Sequence, residues 1–419
     1  MSDTVGDRYA LRLLKMLEDW IAPELTSSDA QAQYELVRRS LARLALQPRE
    51  YDNLAETSAS GAPVRSRQEE FESIDRGEAH LQALLSRQSR SNSAAAPSLS
   101  GAQIEGWLRE HGEPDAVVKS FRPLAGGRSK QTILVELEAV RNLPRQVIIR
   151  RDGNLVTGTT VADEYALLIA LSDRGLAVPR PYRLVTDPSL HTPLMFMQRV
   201  SGKVFGDVFT PPENSAHIIG LARMFGKMAG IPADDIVRHM NPTTQRKTID
   251  FYLSEVADFH RDWAENGRTA SPTVEYALRW LTDNAHRLSP QTGLVHGDPS
   301  FHNVLFEGDR LAAFLDWEVS TIGHPAEDLG SVKTCVSRGF AWGDFMAAYR
   351  DAGGYELDPA EVDWFALYTS LWNIRLLHHC RTAFENGITD DPGIMEATLS
   401  YLPRFMQRLS LAVRAVSEG

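Results

Sequence analysis

The pattern of apolar and polar positions divides the chain into three parts. Residues 8–85 carry apolar stripes at the three-to-four-residue spacing of amphipathic helices. Residues 86–103, "SRQSRSNSAAAPSLSGAQ", are rich in Ser and Ala and almost lack large apolar side chains, which is typical of a flexible linker. The pattern therefore predicts an N-terminal helical domain over residues 1–85, a linker over 86–103 and a second unit after it.

The second unit begins with the pattern of an antiparallel sheet. The stretches "VVKSFRPL", "QTILVELEAV" and "QVIIRR" are short, rich in β-branched residues and bounded by Gly, Asn or Pro, as strands are. The next stretch, "TTVADEYALLIALSDRG", begins with Thr, has acidic residues in its first turns and ends at a Gly, which predicts a capped helix. Two further apolar stretches, "RPYRLVT" and "LMFMQRV", are expected to continue the sheet.

The remainder of the chain is mostly helical, from about residue 214 to 290 and again from about 325 to the end. Between these segments "NVLF" and "LAAFLD" flank the turn "EGDR", which predicts a β-hairpin. The predicted fold class is therefore α+β, with a small sheet lobe over residues 104–200 and a large helical lobe over residues 201–419.

Composition narrows the range of partners and compartments. The formal net charge is −11, from 44 Lys and Arg against 55 Asp and Glu, so nucleic acid and anionic membrane surfaces are poor partners. Two cysteines exclude a disulfide framework and a four-thiolate zinc site, and they suit a reducing compartment. Charged residues interrupt the first apolar stretch, and no apolar run reaches transmembrane length. We therefore expect a cytoplasmic protein.

The candidate chemistry lies in "LVHGDPSFHNVLFEGDRLAAFLDWE", residues 294–318. Asn303 stands where the first hairpin strand begins and Asp316 where the second one ends, so the hairpin should make their side chains neighbours. Asp298 lies one tight loop before them. Hard oxygen ligands that converge in this way suit Mg²⁺, which usually takes only one or two carboxylates and completes its shell with water and phosphate oxygens.

His296, Asp298, Asn303 and Asp316 match the catalytic-loop and metal-binding pattern of the protein-kinase-like superfamily. More narrowly, "VHGDPSFHNVLF" with "FLDWEVSTIGHPAEDLG" resembles the aminoglycoside phosphotransferase and choline kinase-like family, closest to the kinase domains attached to acyl-CoA dehydrogenases. The resemblance covers roughly residues 115–410 and implies a bilobal kinase-like fold. It implies that Asp298 accepts or orients the proton of a substrate hydroxyl, that Asn303 and Asp316 hold Mg²⁺ on the phosphates of ATP, and that His296 supports the loop.

Two upstream segments are candidates for nucleotide contacts. The loop in "PLAGGRSKQTILVEL" contains Gly126, Gly127 and Ser129, small residues that let backbone N–H groups approach phosphate, although an ordinary hairpin turn would look the same. It is not a Walker loop, because no Gly-Lys-Ser/Thr follows. The resemblance further implies that backbone groups near Gln198 and Val200 pair with the adenine edge.

The strand end "VIIRRD" departs from the commonest kinase pattern. Arg150 occupies the position that usually holds a phosphate-pairing Lys, and Arg can bind phosphate oxygens bidentately but differs from Lys in reach. Glu164, on the following helix, is then the expected ion-pair partner of Arg150. Its alternative role is that of a solvated first-turn acid favoured by the helix dipole.

These residues predict a Mg·ATP-dependent phosphotransferase that acts on a hydroxyl group of a small molecule. Three acceptor classes remain open: a hydroxyacyl-CoA or hydroxy acid, towards which the resemblance points; an aminoglycoside-like antibiotic; and an amino alcohol or sugar. A nucleotide-binding pseudokinase scaffold is the alternative of a different class. The helical domain over residues 1–85 is compatible with a homodimer contact or with a lid, and the choice between ATP and GTP is open.

Overall fold

The computed structural model describes most of the second unit. The predicted helical domain, most of the linker, and Gly126, Gly127 and Ser129 lie outside the described residues. The described residues up to Arg375 and the described residues from Leu402 onward form one compact unit. The described residues between 376 and 401 belong to another unit. The described residues are 99–124, 130–152, 159–190, 193–241, 246–265, 271–385 and 392–418.

The first helix, α1 (Gly101–Glu110), begins inside the predicted linker, so the prediction of a linker as far as residue 103 was wrong. Ser100 and Gln103 form a capping box, in which each side chain bonds to the backbone N–H of the other residue. This arrangement satisfies two N–H groups at the helix start that would otherwise lack partners. The buried side chain of Trp107 then fixes the helix to the sheet lobe through a hydrogen bond from Nε1 to Asp187 (3.0 Å).

Five strands form one antiparallel sheet in the order β1-β2-β3-β5-β4. The predicted strands are all present, and the inward-facing residues of β2 and β3 form the core of the lobe. The register places Arg150 opposite Thr132 on one side and Met195 on the other, at the end of β3. The strands are β1 (Val117–Pro123), β2 (Lys130–Glu138), β3 (Gln146–Asp152), β4 (Pro181–Val185) and β5 (Leu194–Gln198).

Helix α2 (Val161–Asp173) connects β3 to β4 and carries Glu164 in its first turn. Thr160 caps it by accepting from the Asp163 N–H, and the Asp163 carboxylate accepts from the Thr160 N–H in return. This second capping box fixes the first turn, so the Glu164 side chain projects from a defined point beside the sheet.

The rest of the described chain is predominantly helical, as predicted, and its core is rich in aromatic residues, with Tyr252, Trp364 and Phe365 packed edge to face. No helix within the described ranges is both long enough and apolar enough to cross a membrane. The helices are α3 (Ser215–Ala229), α4 (Ala233–Val237), α5 (Ile249–Glu265), α6 (Pro272–Asp283), α7 (Ala326–Val336), α8 (Trp342–Asp351), α9 (Pro359–Glu385) and α10 (Pro392–Ser417).

Two small antiparallel ribbons interrupt the helices. Strand β6 (Gly293–Val295) pairs with β9 (Thr321–Gly323), and between them the hairpin of β7 (Val304–Glu307) and β8 (Arg310–Phe314) forms as predicted. The two ribbons bring the start of β7 and the end of β8 next to the chain that leaves β6.

Candidate active site

The loop after β6 is shaped by backbone constraints around Gly297. This residue has φ of +86°, and a Cβ atom there would lie 2.7 Å from the Val319 carbonyl oxygen, so only glycine fits. The buried Asp328 carboxylate on α7 accepts from the N–H groups of His296 (2.7 Å) and Gly297 (3.0 Å). Burial raises the pKa of Asp328 to about 7, against the effect of these two N–H groups. The helical lobe thus holds the loop by its backbone.

His296 is a structural member of the loop. Its ring is fully buried and stacks on Phe314 with centroids 4.0 Å apart. Nε2 lies 2.8 Å from the Leu315 carbonyl oxygen, which can only accept, while Nδ1 accepts from the Asp298 N–H at 3.2 Å. This pattern assigns the neutral tautomer with its proton on Nε2. Burial lowers the pKa of His296, which also favours the neutral ring. The side chain therefore positions Asp298, and its Nε2 proton is held by the Leu315 carbonyl oxygen.

Asp298 and Asn303 are in direct contact. The Asn303 amide Nδ2 donates to the Asp298 carbonyl oxygen (3.0 Å) and to its carboxylate Oδ2 (2.9 Å). The Asp298 side chain is 48% exposed, with His302 Nε2 3.8 Å from Oδ2. Because the amide nitrogen faces Asp298, the Oδ1 oxygen of Asn303 is directed away from it. The contact leaves one exposed carboxylate beside one oriented amide oxygen.

Asp316 lies beside this pair through the hairpin. The Leu315 N–H donates to the Asn303 carbonyl oxygen (2.7 Å), so the chain enters Asp316 alongside Asn303. Asp316 has φ of +63°, a left-handed conformation that Asp tolerates better than most residues. Such strain is concentrated at functional sites. Its carboxylate is one third exposed and accepts from Arg150 Nη2 at 2.9 Å.

Arg150 joins the two lobes at the site. Its guanidinium lies 3.6 Å from Glu164 Oε2 and 2.9 Å from Asp316 Oδ1. Burial disfavours its charge, but these carboxylates outweigh that effect and raise the pKa of Arg150. Its buried Nε has no hydrogen-bond partner among the described residues. The expected ion pair with Glu164 is present, and the contact with Asp316 adds to it.

Glu164 is almost fully buried, so it is not the solvated acid of the alternative interpretation. Neither of its carboxylate oxygens accepts a hydrogen bond within the described part of the chain. Burial raises the pKa of Glu164 to about 7, and the nearby Arg150 charge limits the rise. A buried, partly compensated carboxylate of this kind keeps Arg150 charged and in place.

Lys130 completes the cluster and was missed from the sequence. Its side chain is 1% exposed, and Nζ donates to the Thr159 carbonyl oxygen (2.5 Å). Nζ also lies 3.2 Å from Asp152, 3.4 Å from Glu318 and 4.0 Å from Glu164. Lysine is rarely buried without partners, but the sequence around Lys130 shows only a strand start after a glycine loop. Its partners come from three distant segments, so no local signal marks it.

The two residues expected near the adenine edge, Gln198 and Val200, lie at the end of β5 and just after it. The Gln198 N–H donates to the Arg180 carbonyl oxygen (2.8 Å), so this donor is already engaged within the sheet lobe. Val200 follows β5 in the segment that leads to the helical lobe.

The donors at this site fit a hard divalent cation. Among the described residues, no three His, Cys, Asp or Glu side chains are grouped to hold a metal alone. The available set is the Asn303 amide oxygen and the Asp316 carboxylate, which together suit Mg²⁺ when phosphate and water complete its shell. Catalytic metals that act on nucleotides are commonly held this way.

Comparison with known proteins supports the same interpretation. The family model of the phosphotransferase enzyme family, APH, matches residues 120–365. Acyl-CoA dehydrogenase family member 11 of Gallus gallus is 27% identical over 214 residues, which are 50% of this chain and 27% of that protein. The human protein of the same name is 25% identical over 239 residues, 54% of this chain and 30% of that protein. The chain thus matches less than a third of the length of these relatives.

Solved structures share the fold. A protein assigned as an aminoglycoside phosphotransferase from Ralstonia eutropha has a TM-score of 0.57 at 19% identity, covering 76% of this chain and 99% of its own. Macrolide 2'-phosphotransferase type I has a TM-score of 0.54 at 15% identity, covering 74% and 99%. A thermostable mutant of aminoglycoside phosphotransferase APH(4)-Ia, solved as a ternary complex with AMP-PNP and hygromycin B, has a TM-score of 0.50 at 17% identity, covering 76% of this chain and 100% of its own. The kinase-like α+β fold predicted from the sequence is confirmed.

Proposed function

This chain belongs to the phosphotransferase enzyme family, and we propose that it transfers the γ-phosphoryl group of ATP to a hydroxyl group of a small molecule with the help of Mg²⁺. The observation that carries this proposal is the convergence of Asp298, Asn303 and Asp316. The first two are in contact at 2.9 Å, and a backbone hydrogen bond one residue before Asp316 holds the third alongside them. One loop and one hairpin thus bring three polar side chains to the same place, as a phosphotransfer site requires.

Asp298 is the residue that faces the acceptor. Its exposed carboxylate can accept a hydrogen bond from an incoming hydroxyl, because Asn303 binds only one of its oxygens. In phosphoryl transfer this contact orients the nucleophile and accepts its proton as the new P–O bond forms. His296 and Gly297 hold the backbone of Asp298 while leaving its side chain accessible.

Asn303 and Asp316 would hold the magnesium ion on the nucleotide phosphates. When bound, the ion neutralises charge on the phosphate oxygens. Arg150 supplies a second positive charge, and its buried Nε atom, which has no hydrogen-bond partner among the described residues, fits a site that is completed by a ligand. Glu164 orients Arg150. The catalytic contribution expected of these residues is positioning and charge neutralisation, with no covalent intermediate.

The use of ATP is supported by the AMP-PNP complex of the related fold. For the acceptor we favour a hydroxyacyl-CoA or hydroxy acid, because the curated relatives carry the name of acyl-CoA dehydrogenases. Aminoglycosides, macrolides, amino alcohols and sugars are the competing acceptors. The fold alone does not choose among them, since one fold hosts many substrates.

The proposal is tested by replacing Asp298 with Asn and measuring transfer of labelled phosphate from ATP to a panel of hydroxyl compounds. The panel contains hydroxyacyl-CoAs, hydroxy acids, amino alcohols, sugars and aminoglycosides. We expect transfer by the natural protein to drop by about a hundred-fold or more in the variant, with an unchanged circular dichroism spectrum. Asp309→Asn, in the hairpin turn, is the matched control and should keep full activity.

Retained turnover in Asp298→Asn would refute the role of Asp298. A natural protein that binds ATP but transfers phosphate to no hydroxyl, and whose Asp316→Ala variant has no activity to lose, would identify a pseudokinase scaffold instead.

A further inference from the structure

A small cavity lies in the helical lobe at the end of α7. It is lined by residues of α7 and the turn after it, of the segment just before α3 and of α10; it is partly open to solvent and has a volume of about 30 Å³. That volume is enough for a water molecule or the end group of a larger ligand, since a cavity needs roughly 10–15 Å³ to hold one water. Its polar lining includes Thr334, Arg338, Arg404, Gln407 and Arg408.

Arg408 is the buried cation of this cavity. It is 5% exposed, and its Nη2 donates to the Ser331 carbonyl oxygen on α7 and lies 3.5 Å from Thr369 Oγ1. Its Nε atom has no hydrogen-bond partner among the described residues. Burial lowers the pKa of Arg408 to about 10, so the side chain remains charged at neutral pH. Arg408 is therefore a buried charge with incomplete compensation by the protein.

The other two arginines are held at the rim by contacts with Phe209. Arg338 Nη1 donates to the Phe209 carbonyl oxygen (3.3 Å), and the Arg404 guanidinium lies 4.2 Å from the centre of the Phe209 ring. Both contacts fix a guanidinium group without neutralising its charge.

Carboxylates do not balance these three arginines. Within the described part of the chain, no carboxylate oxygen lies within 4.0 Å of Arg338, Arg404 or Arg408. The nearby Asp207 uses one carboxylate oxygen to accept from the backbone N–H groups of Phe209 (2.6 Å) and Thr210 (2.7 Å). Arg338 and Arg404 are exposed at the rim, whereas Arg408 is buried. Buried charges in proteins are normally paired, so Arg408, with two further guanidinium groups around the same cavity, points to an anionic ligand.

Helix α7 connects the cavity to the phosphotransfer site. Asp328 near its start holds the backbone before Asp298, and Ser331, one turn later, accepts from Arg408. At 1.5 Å rise per residue, the seven residues from Asp328 to the cavity wall at Cys335 span about 10 Å. The Asp298 charge also acts to raise the pKa of Arg408, against the lowering by burial. A molecule of moderate length could therefore reach both places.

We infer that the cavity lined by Arg338, Arg404 and Arg408 is an oxyanion subsite, which binds the carboxylate or phosphate end of the acceptor while its hydroxyl lies at Asp298. This inference rests on the proposed function and narrows the acceptor to an anionic hydroxy compound whose hydroxyl and anion are separated by up to about 10 Å, the length of α7 between the two places. Guanidinium groups bind carboxylate and phosphate through paired hydrogen bonds, and the three positive charges repel polycations such as aminoglycosides.

The experiment measures oxyanion binding to the full chain by isothermal titration calorimetry, without nucleotide, at constant ionic strength. The probes are inorganic phosphate, 6-hydroxyhexanoate and, as a neutral match, 1,6-hexanediol. The variants are Arg404→Gln and Arg338→Gln, which lie at the exposed rim and should fold normally. The matched control is Arg414→Gln, an exposed arginine on the same helix outside the cavity.

For each anion we expect the same affinity for the natural protein and for the Arg414→Gln control. The diol should bind to neither protein. Each rim variant should weaken anion binding by about ten-fold, the loss expected for one charge-assisted contact. Absence of anion binding by the natural protein, or equal binding by Arg404→Gln, Arg338→Gln and Arg414→Gln, overturns the subsite.

Failure of the proposed function gives a different result. The protein could bind anions through Arg404 and yet phosphorylate no hydroxyl compound. That result would support the anion subsite and refute the kinase assignment. Phosphorylation of 6-hydroxyhexanoate and 1,6-hexanediol with equal kcat/KM supports the kinase assignment and overturns the subsite. The relative affinities for inorganic phosphate and 6-hydroxyhexanoate show whether the subsite prefers a phosphate or a carboxylate group.

Discussion

Replacing Lys130 with Met removes a buried cation that lies within 4.0 Å of three buried or nearly buried carboxylates. The Lys130 Nζ atom lies 3.2 to 4.0 Å from Asp152, Glu318 and Glu164, whose side chains are 12%, 14% and 0% exposed. Removing one partner of a buried ion pair leaves an uncompensated charge, which costs about 3–5 kcal/mol. We expect the free energy of unfolding of Lys130→Met to fall by that amount near pH 8.

Lys119→Met is the matched control on the neighbouring strand. Lys119 lies 3.2 Å from Glu138, but both side chains are more than half exposed. Exposed ion pairs contribute about 0–1 kcal/mol, so this variant should be nearly as stable as the natural protein. The measurement is urea unfolding of both variants, followed by far-ultraviolet circular dichroism.

The loss in Lys130→Met should depend on pH with a definite sign. The pKa of Glu164 is about 7 in the folded protein, against 4.5 in the unfolded chain, and loss of Lys130 raises the folded value further. Between these values the folded state binds more protons, so its stability increases as the pH falls. The difference between variant and natural protein should therefore shrink from about pH 8 to about pH 5.5. Equal losses in Lys130→Met and Lys119→Met, or a loss independent of pH, would refute this account of the cluster.

Three further substitutions test the loop and the nucleotide site. Gly297→Ala places a Cβ 2.7 Å from a carbonyl oxygen at φ of +86°. The free energy of unfolding measured in urea should therefore fall by at least about 1–2 kcal/mol. In the control Gly343→Ala the added Cβ meets no neighbour, so the free energy of unfolding should not fall. Asp328→Asn loses a charge-assisted acceptor for two backbone N–H groups, and a loss of about 1.5–3 kcal/mol is expected in the same assay; an unchanged midpoint would contradict the anchoring role. Arg150→Lys replaces a fork by a point charge, so calorimetry should show AMP-PNP·Mg binding weakened by about ten-fold, and equal affinity would argue against phosphate contact by Arg150.

Local patterns in the sequence were sufficient for the α+β fold and for the loop and hairpin that carry Asp298, Asn303 and Asp316. The strands, the capped helix after β3 and the hairpin follow from periodicity and turn residues over a few positions. The hairpin also explains why the spacing of Asn303 and Asp316 predicts that they are neighbours, since both residues stand at its open end, where the Leu315 N–H donates to the Asn303 carbonyl oxygen. The start of α1 could have been predicted too, because Ser100 and Gln103 have the spacing of a capping box.

The charged groups outside the motif could not be predicted in this way. Lys130 gains its partners from the end of β3, the start of α2 and the segment after Asp316, and only the fold brings these together. Arg408 and Arg338 lie 70 residues apart along the chain and carry no local signal. Charges of this kind are recognised by their burial, which a single sequence does not contain.

The ion pair of Arg150 and Asp316 also has a thermodynamic consequence. The same carboxylate that would bind the cation holds the same guanidinium that would bind phosphate, at 2.9 Å. A cation bound at Asp316 would weaken its hold on Arg150, and a phosphate bound by Arg150 would weaken its hold on Asp316. Binding linkage is reciprocal, so the factor by which Mg²⁺ tightens nucleotide binding must equal the factor by which nucleotide tightens Mg²⁺ binding. We therefore expect positive cooperativity between the two ligands that arises from the protein itself, in addition to their direct attraction.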